Sequence, residues 1–222
     1  MELTPRLQAI ADQVPAGAVF ADIGTDHAYL PVWLLLSGRI RHAIAADLRE
    51  GPLSKAKETA AQYGVTGQVS FRLCDGLTDI REGEADVIAI AGMGGETIAS
   101  ILSAAPWTRN STLLLQPMTS FPDLRLWLQE NGYKIVKESV AREGRRLYSI
   151  LTVTGGEMRK LTPAELWVGV QNKDPLRKDY LGMMITKLDR ALSGHKAASE
   201  PDEKQIVALT GVLDELRRME GE

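Results

Sequence analysis

Short runs of apolar residues alternate along the first part of the chain with longer segments whose apolar residues recur every three or four positions. The short runs fit buried strands and the longer segments fit amphipathic helices, an alternation typical of βα units around a parallel sheet. We predict five buried central strands followed by a closing antiparallel pair. In chain order, the seven strands are 19–23, 43–46, 69–73, 87–91, 113–115, 135–140 and 148–153.

Helices are predicted between these strands. A leading helix begins at Thr4, because Pro5 is suited to the first helical turn. The stretch 79–86 is too short and too charged for a full helix. The other helical segments lie near 28–37, 52–63, 95–104 and 122–131. The fold class is therefore α/β, with a doubly wound, mostly parallel, Rossmann-like sheet of seven strands.

The alternation of strands and helices stops at Gly155-Gly156, and no convincing strand follows. The string Thr162-Pro163-Ala164-Glu165 has the form of a capping box with proline at the first helical position. We therefore predict two domains, residues 1–155 with the sheet and residues 156–222 with helices only.

The second predicted domain carries two apolar stripes at helical spacing, within 176–192 and 206–216. A polar segment, 193–202, separates them. This pattern predicts an antiparallel helical hairpin packed through its apolar seams, and such a hairpin is better suited to docking or oligomerisation than to catalysis.

Composition and charge narrow the class of protein. The formal net charge is −3 and there is one cysteine, Cys74, which excludes an intrachain disulfide and a multi-cysteine metal site. Neither a leader sequence nor a membrane span is expected, and we predict a cytoplasmic protein. Residues 134–196 hold thirteen Lys and Arg against seven Asp and Glu. Such a basic block fits either a solvated surface or contacts with phosphates.

The end of the first strand has the composition of a ligand-binding turn. Gly24 stands where a doubly wound sheet needs close approach between backbone and ligand. A dinucleotide site would require further glycines where Asp26 and Tyr29 stand, and a carboxylate there would repel a pyrophosphate. S-adenosylmethionine has no phosphate and carries a sulfonium and an amino group, so it fits a binding-site entrance with acidic residues better.

Aspartates also close the next two strands. Asp47 follows the second strand and could accept both ribose hydroxyls of a nucleoside, while Asp75 follows the third and could accept an adenine amino group. Each could instead be a turn or helix-cap residue. Acidic residues at three successive strand ends indicate an adenosine-containing ligand lying across them.

Glycines follow the fourth strand in the string Ala91-Gly92-Met93-Gly94-Gly95. They leave space for a base or a methyl group, although a tight turn would explain them too. Enzymes that methylate an exocyclic adenine amine place Asn/Asp-Pro-Pro-aromatic here, and this sequence lacks it. A ring nitrogen keeps an in-plane lone pair and needs mainly alignment. His27 could form a hydrogen bond or accept a proton beside the methyl acceptor, or it could be a capping or packing residue. No metal site is predicted.

Five strings, taken together, resemble one family. They are Asp22-Ile-Gly-Thr-Asp-His-Ala-Tyr-Leu-Pro31, Ala46-Asp-Leu-Arg-Glu-Gly-Pro-Leu53, Asp75-Gly-Leu77, Ala91-Gly-Met-Gly-Gly95 and Leu115-Gln-Pro-Met118. The family is that of the bacterial tRNA (adenine-N1)-methyltransferases that act on position 22, which are class I enzymes. The resemblance extends to Tyr148, and the trailing hairpin resembles the family's carboxyl-terminal coiled-coil domain.

The resemblance implies methyl transfer from S-adenosylmethionine to N1 of an adenine in the D-arm region of tRNA. Asp26, His27 and Met93 would then lie at the reacting groups, with Asp26 or His27 orienting the adenine or stabilising its developing charge. The residues expected to bind the cofactor are Asp22, Gly24, Thr25, Asp47, Leu48, Asp75, Gly76, Ala91 and Gly92.

The basic block would then hold the tRNA backbone. Its candidate residues are Arg142, Arg145, Arg146, Arg159, Lys160, Lys173, Arg177, Lys178 and Lys187. Three other functions stay open at this point: methylation of a protein or small molecule on the same fold, a dinucleotide-dependent oxidoreductase, and a noncatalytic RNA-binding or scaffold protein.

Overall fold

The computed structural model describes residues 1–170 and 173–221. Contacts along the chain divide it into two compact units, Met1–Met158 and Arg159–Glu222. The division at residue 155 that the sequence suggests stays a prediction.

The first unit contains all of the strands found in the described residues. Its strands are β1 (Phe20–Ile23), β2 (Ala43–Asp47), β3 (Val69–Leu73), β4 (Val87–Gly94), β5 (Thr112–Thr119), β6 (Tyr133–Glu143) and β7 (Arg146–Gly155). Its helices are α1 (Pro5–Ala11), α2 (Tyr29–Leu36), α3 (Glu50–Gln62), α4 (Gly95–Ala104) and α5 (Phe121–Glu130). The predicted α/β class is confirmed.

The seven strands form one mixed sheet in the order β3-β2-β1-β4-β5-β7-β6. The first five strands are parallel, and β7 is antiparallel to both β5 and β6. The strand order reverses beside β1, so the loops after β1 and β4 diverge at the carboxyl-terminal edge of the parallel strands. A crevice forms at such a point in open α/β sheets.

Apolar side chains on both faces of the sheet explain the long apolar runs in the central strands. In β4, Val87 and Ala89 join the core beneath α1, α2 and α3, whereas Ile88 and Ile90 join the core beneath α4 and α5. This alternation follows from the two-residue period of a strand. All four residues are buried, so apolar side chains pack on both faces of the sheet at this strand.

A buried ion pair anchors the closing antiparallel strands. Arg125 on α5 lies 2.8 Å from the Glu138 carboxylate on β6, and it also donates to Ser149 Oγ on β7 at 3.2 Å. Both charged side chains are 1% exposed. Because an unpaired charge at such a depth is costly, the pair fixes α5 against both strands.

The second unit is helical in its described residues, with α6 (Pro163–Val168), α7 (Arg177–Ala197) and α8 (Glu203–Gly221). The capping box at Thr162 is present, with its hydroxyl accepting from Glu165 N. Asp189 and Arg217 form a 2.8 Å ion pair between α7 and α8.

The polar segment 193–202 begins inside a helix, because α7 continues through Ser193 and Gly194 to Ala197. A glycine inside a helix costs only about 1 kcal/mol relative to alanine. Packing of the adjacent Leu188 and Leu192, both buried, offsets that cost.

Candidate active site

A cavity of about 420 Å³ opens at the carboxyl-terminal edge of the sheet, around the end of β1. The loop after β1, the end of β4 and the first turn of α1 surround it. Its lining residues are Thr4, Arg6, Leu7, Asp22, Gly24, Thr25, Asp26, His27, Tyr29, Leu30, Ala91 and Gly92. The cavity therefore occupies the crevice that the strand order creates.

The loop after β1 is tied to the neighbouring strand at its start. The backbone N–H groups of Gly24 and Thr25 both donate to Ala46 O, at 2.9 Å each. Gly24 has φ +72°, and a Cβ placed there would lie 2.2 Å from Met93 Cε. A side chain at this position would thus require both an unfavourable backbone conformation and displacement of the methionine methyl group.

The same loop holds two non-glycine residues in the left-handed region, Asp26 at φ +50° and Ala28 at φ +55°. This conformation costs about 1–2 kcal/mol for such a residue. Strain of this kind is concentrated at functional sites, where the surrounding structure maintains it. The rings of His27 and Tyr29 are stacked at this loop, with centroids 5.2 Å apart and planes 5° apart. Tyr29 is 46% exposed.

Two aspartates from adjacent strands differ in their environment. Asp22 is buried, accepts from Thr25 Oγ1 at 2.8 Å, and has its pKa raised to about 6 by burial, against the opposing effects of the Thr25 hydrogen bond and the Arg6 charge. Asp47 accepts from the backbone N–H of Asp26 at 3.3 Å and of Arg49 at 2.9 Å. A cationic ligand would therefore stabilise the ionised form of Asp22. Asp47 fixes the loop and keeps lone pairs that can accept from hydroxyl groups.

The end of β4 leaves the backbone open toward the cavity. The pairing with β5 shifts register between Ala91 and Met93, so Gly92 bulges out at φ +79°. Bulges next to active sites commonly re-aim the chain in this way. The nearest atom to a Cβ at Gly92 would be Arg6 Nη1, at 3.8 Å.

The structure brings most of the predicted site residues to one place. Those lining the cavity are Asp22, Gly24, Thr25, Asp26, His27, Ala91 and Gly92. Met93 lies beside Gly24, and Asp47 reaches the site through Asp26. Leu48, Asp75 and Gly76 do not line the cavity; they follow the ends of β2 and β3 farther along the same edge. Their predicted part in binding the cofactor stays a prediction.

Sequence reasoning gave no role at the site to Arg6, Tyr29, Gln116 and Tyr148. Arg6 reaches the cavity from α1, donating to Gln116 Oε1 at 2.9 Å and lying 5.6 Å from the centre of the Tyr148 ring. Gln116 is fully buried. The available signal for Gln116 was a polar residue directly after the apolar run 113–115. Tyr29 is exposed and follows the strained loop. Nothing local marks Arg6.

Within residues 1–170 and 173–221, no group of three or more His, Cys, Asp or Glu is arranged to hold a metal ion. Within the same residues, no helix combines the length and apolarity that a bilayer crossing requires.

Comparison with known proteins agrees with this geometry. The family described as a methyltransferase domain matches residues 3–151. The chain is 40% identical over 159 residues to the tRNA (adenine(22)-N(1))-methyltransferase of Bacillus subtilis strain 168, covering 71% of this chain and 67% of that protein. The crystal structure of the B. subtilis m1A22 tRNA methyltransferase superposes with a TM-score of 0.87 at 31% identity, covering 99% of each chain.

A second solved structure carries a ligand. A Streptococcus pneumoniae protein in complex with S-adenosyl-L-methionine has a TM-score of 0.82 and 35% identity, covering 96% of this chain and 100% of that one. Fold, site and matched domain together define a class I methyltransferase. Within that class, the chain belongs to the tRNA (adenine(22)-N(1))-methyltransferase family. The dinucleotide-dependent oxidoreductase alternative is thereby set aside.

Proposed function

We propose that this protein methylates N1 of adenine 22 in tRNA, with S-adenosylmethionine as the methyl donor and the cytoplasm as its place of action. The observation that carries the proposal is a cavity lined by the buried carboxylate of Asp22 and by the ends of β1 and β4, where glycines leave the backbone uncovered. The relatives at 31% to 40% identity that carry this activity in their names support the choice of acceptor.

The residues of the site fit such a donor. Asp22 offers a buried carboxylate to a cationic amino group, and Asp47 on the next strand has acceptor capacity for ribose hydroxyls. Gly24 and Gly92 present no side chain where the reacting groups would meet. When bound, S-adenosylmethionine supplies an electrophilic methyl group on a positively charged sulfur.

The acceptor side of the site is proposed to be the strained loop. N1 lies on the Watson–Crick edge, so the target adenine must leave any pairing before it reacts. The exposed face of Tyr29, held parallel to His27, offers a stacking surface for such a base. Methylation of N1 leaves the ring cationic, and the Asp26 carboxylate beside this stack would stabilise that charge and orient the exocyclic amine.

Asp26→Asn is expected to lower the single-turnover rate at saturating cofactor and tRNA by about 10- to 100-fold, because the amide keeps the shape but removes the charge. Rapid quench with labelled donor gives this rate. Asp26→Glu, which keeps the charge on a longer side chain, is the matched control and should lose less. A rate for Asp26→Asn equal to the wild-type rate would remove Asp26 from the mechanism.

A direct test uses two tRNA transcripts that differ only at position 22, one with adenine and one with guanine. Nucleoside mass spectrometry should detect 1-methyladenosine only in the first, and reverse transcription should stop at position 22 because the methyl group blocks pairing. Methylation at another position, or of protein or small molecules instead of tRNA, would contradict the proposed acceptor.

The tRNA backbone is proposed to contact arginines at the turn between β6 and β7. Because β6 runs parallel to β5, its end lies at the same edge of the sheet as the cavity. Arg142, Arg145 and Arg146 are exposed there, around a two-residue turn with Gly144 at φ +58°. A cationic turn at the rim would hold phosphates while the base enters the cavity.

The remaining basic candidates lie in the second unit. Arg159 is committed to Glu165, which it contacts at 2.5 Å and whose pKa it lowers by hydrogen bonding. Arg159 is therefore a poorer candidate for a phosphate contact. The other candidates in this unit, Lys160, Lys173, Arg177, Lys178 and Lys187, stay predictions.

A further inference from the structure

Arg6 brings a cation into the cavity from α1, far in sequence from the strand ends that form the rest of the site. Its Nη1 donates to Gln116 Oε1 at 2.9 Å, and its guanidinium lies 5.6 Å from the Tyr148 ring centre. The other N–H groups of this guanidinium donate to no residue in the described part of the chain. A half-buried guanidinium with most of its donors unused is suited to an anionic ligand.

The partners of Arg6 hold it in place. Gln116 is fully buried, and its Nε2 donates to Pro117 O at 2.8 Å, which leaves Oε1 facing Arg6. Tyr148 presents its ring to the same guanidinium from β7. Two neighbours on different strands thus determine the position of the charge before any ligand arrives, which reduces the entropy lost on binding.

The charges around the cavity indicate which anion Arg6 would bind. Among the described residues that line the cavity, Arg6 is the only lysine or arginine, and the aspartates Asp22 and Asp26 line the same cavity. The amino-acid end of S-adenosylmethionine carries one ammonium and one carboxylate, so it needs one anion and one cation. We propose that Arg6 binds the carboxylate of the cofactor's amino-acid end, while Asp22 faces its ammonium group.

This inference rests on the proposed use of S-adenosylmethionine, and the main competing ligand is an RNA phosphate. Phosphate contacts favour exposed cations such as Arg145 and Arg146 at the rim. Arg6 is instead half-buried beside Gly92, at the end of β4, and its charge lowers the pKa of the buried Asp22. These neighbours favour the small ligand.

The test compares two ligands that differ by one group, S-adenosylmethionine and its decarboxylated form, by isothermal titration without tRNA. Wild-type protein should bind the intact cofactor about 10- to 100-fold more tightly, the range for a charge-assisted hydrogen-bonded pair. Arg6→Gln should reduce this preference to less than about threefold, by weakening only the intact cofactor. Arg6→Lys keeps the positive charge but loses the planar guanidinium with its paired N–H donors, so its preference for the intact cofactor should be intermediate.

Arg41→Gln is the matched control, since Arg41 is exposed and precedes β2 at the opposite edge of the sheet. It should keep the wild-type preference. The inference is overturned if wild-type protein binds both ligands equally, a result that needs no variant to fold. It is also overturned if Arg6→Gln keeps the wild-type preference for the intact cofactor. Because tRNA is absent from the titration, a failure of the proposed acceptor would leave this result unaffected.

Discussion

Asp22→Asn is expected to stabilise the free protein at neutral pH by about 1–3 kcal/mol while weakening cofactor binding by about 30- to 1,000-fold. Burial raises the pKa of Asp22 from 3.8 to about 6, and the nearby Asp47 charge adds to the increase. The hydrogen bond from Thr25 and the charge of Arg6 oppose it. The folded protein without ligand therefore holds this carboxylate ionised at a cost, which the asparagine removes.

The pH dependence of this stability difference follows from the direction of the shift. Because the folded state binds the Asp22 proton more tightly than the unfolded state, the native side chain lowers stability as pH rises from about 4 to above 6. Below about pH 4, Asp22 is protonated in both states and its ionisation costs nothing. The advantage of Asp22→Asn should accordingly be small at pH 4 and complete near pH 7.

Urea unfolding from pH 4 to pH 7.5 measures the stability difference, and titration with S-adenosylhomocysteine measures the binding loss. Asp12→Asn is the control, because it makes the same chemical change at an exposed aspartate on the first unit. An Asp22→Asn protein that is no more stable than wild type at pH 7.5, or that keeps full affinity, would contradict this account of the site. Cofactor binding to wild type should also weaken as pH falls through about 6.

The strands were predictable because each parallel strand is buried on both faces and reads as an apolar run. The positions at which the strands end were harder to predict. The strand predicted as 87–91 continues to Gly94, since the bulge after Ala91 allows pairing with β5 to resume. The closing pair is longer than predicted at both ends, because its exposed residues alternate with buried ones and interrupt the apolar pattern.

The site was predictable to the extent that topology determines it. Glycine and aspartate at the ends of parallel strands must share one edge of the sheet, which is why Asp22, Gly24 and Gly92 line one cavity. Arg6 was missed because its role depends on a partner, Gln116, that lies 110 residues away. The left-handed backbone at Asp26 and Ala28 was missed as well, since neither residue requires it.

Replacing Arg142, Arg145 and Arg146 together by alanine is expected to weaken tRNA binding on the order of 10- to 100-fold at about 0.1 M salt. Each lost phosphate contact should reduce the slope of log affinity against log salt by about 0.7 to 0.9, so the slope should fall by about 2 to 3. Filter binding across a salt series gives both quantities.

A triple variant at Arg41, Lys134 and Lys137 removes the same charge from exposed positions away from this turn and is the matched control. It should change tRNA affinity and its salt slope much less, and neither triple variant should alter the affinity for S-adenosylhomocysteine. Equal losses in the two proteins would mean that net charge alone sets tRNA affinity. Only a larger loss in the turn variant supports phosphates held at the rim, where the backbone contact and the open cavity lie at one edge of the sheet.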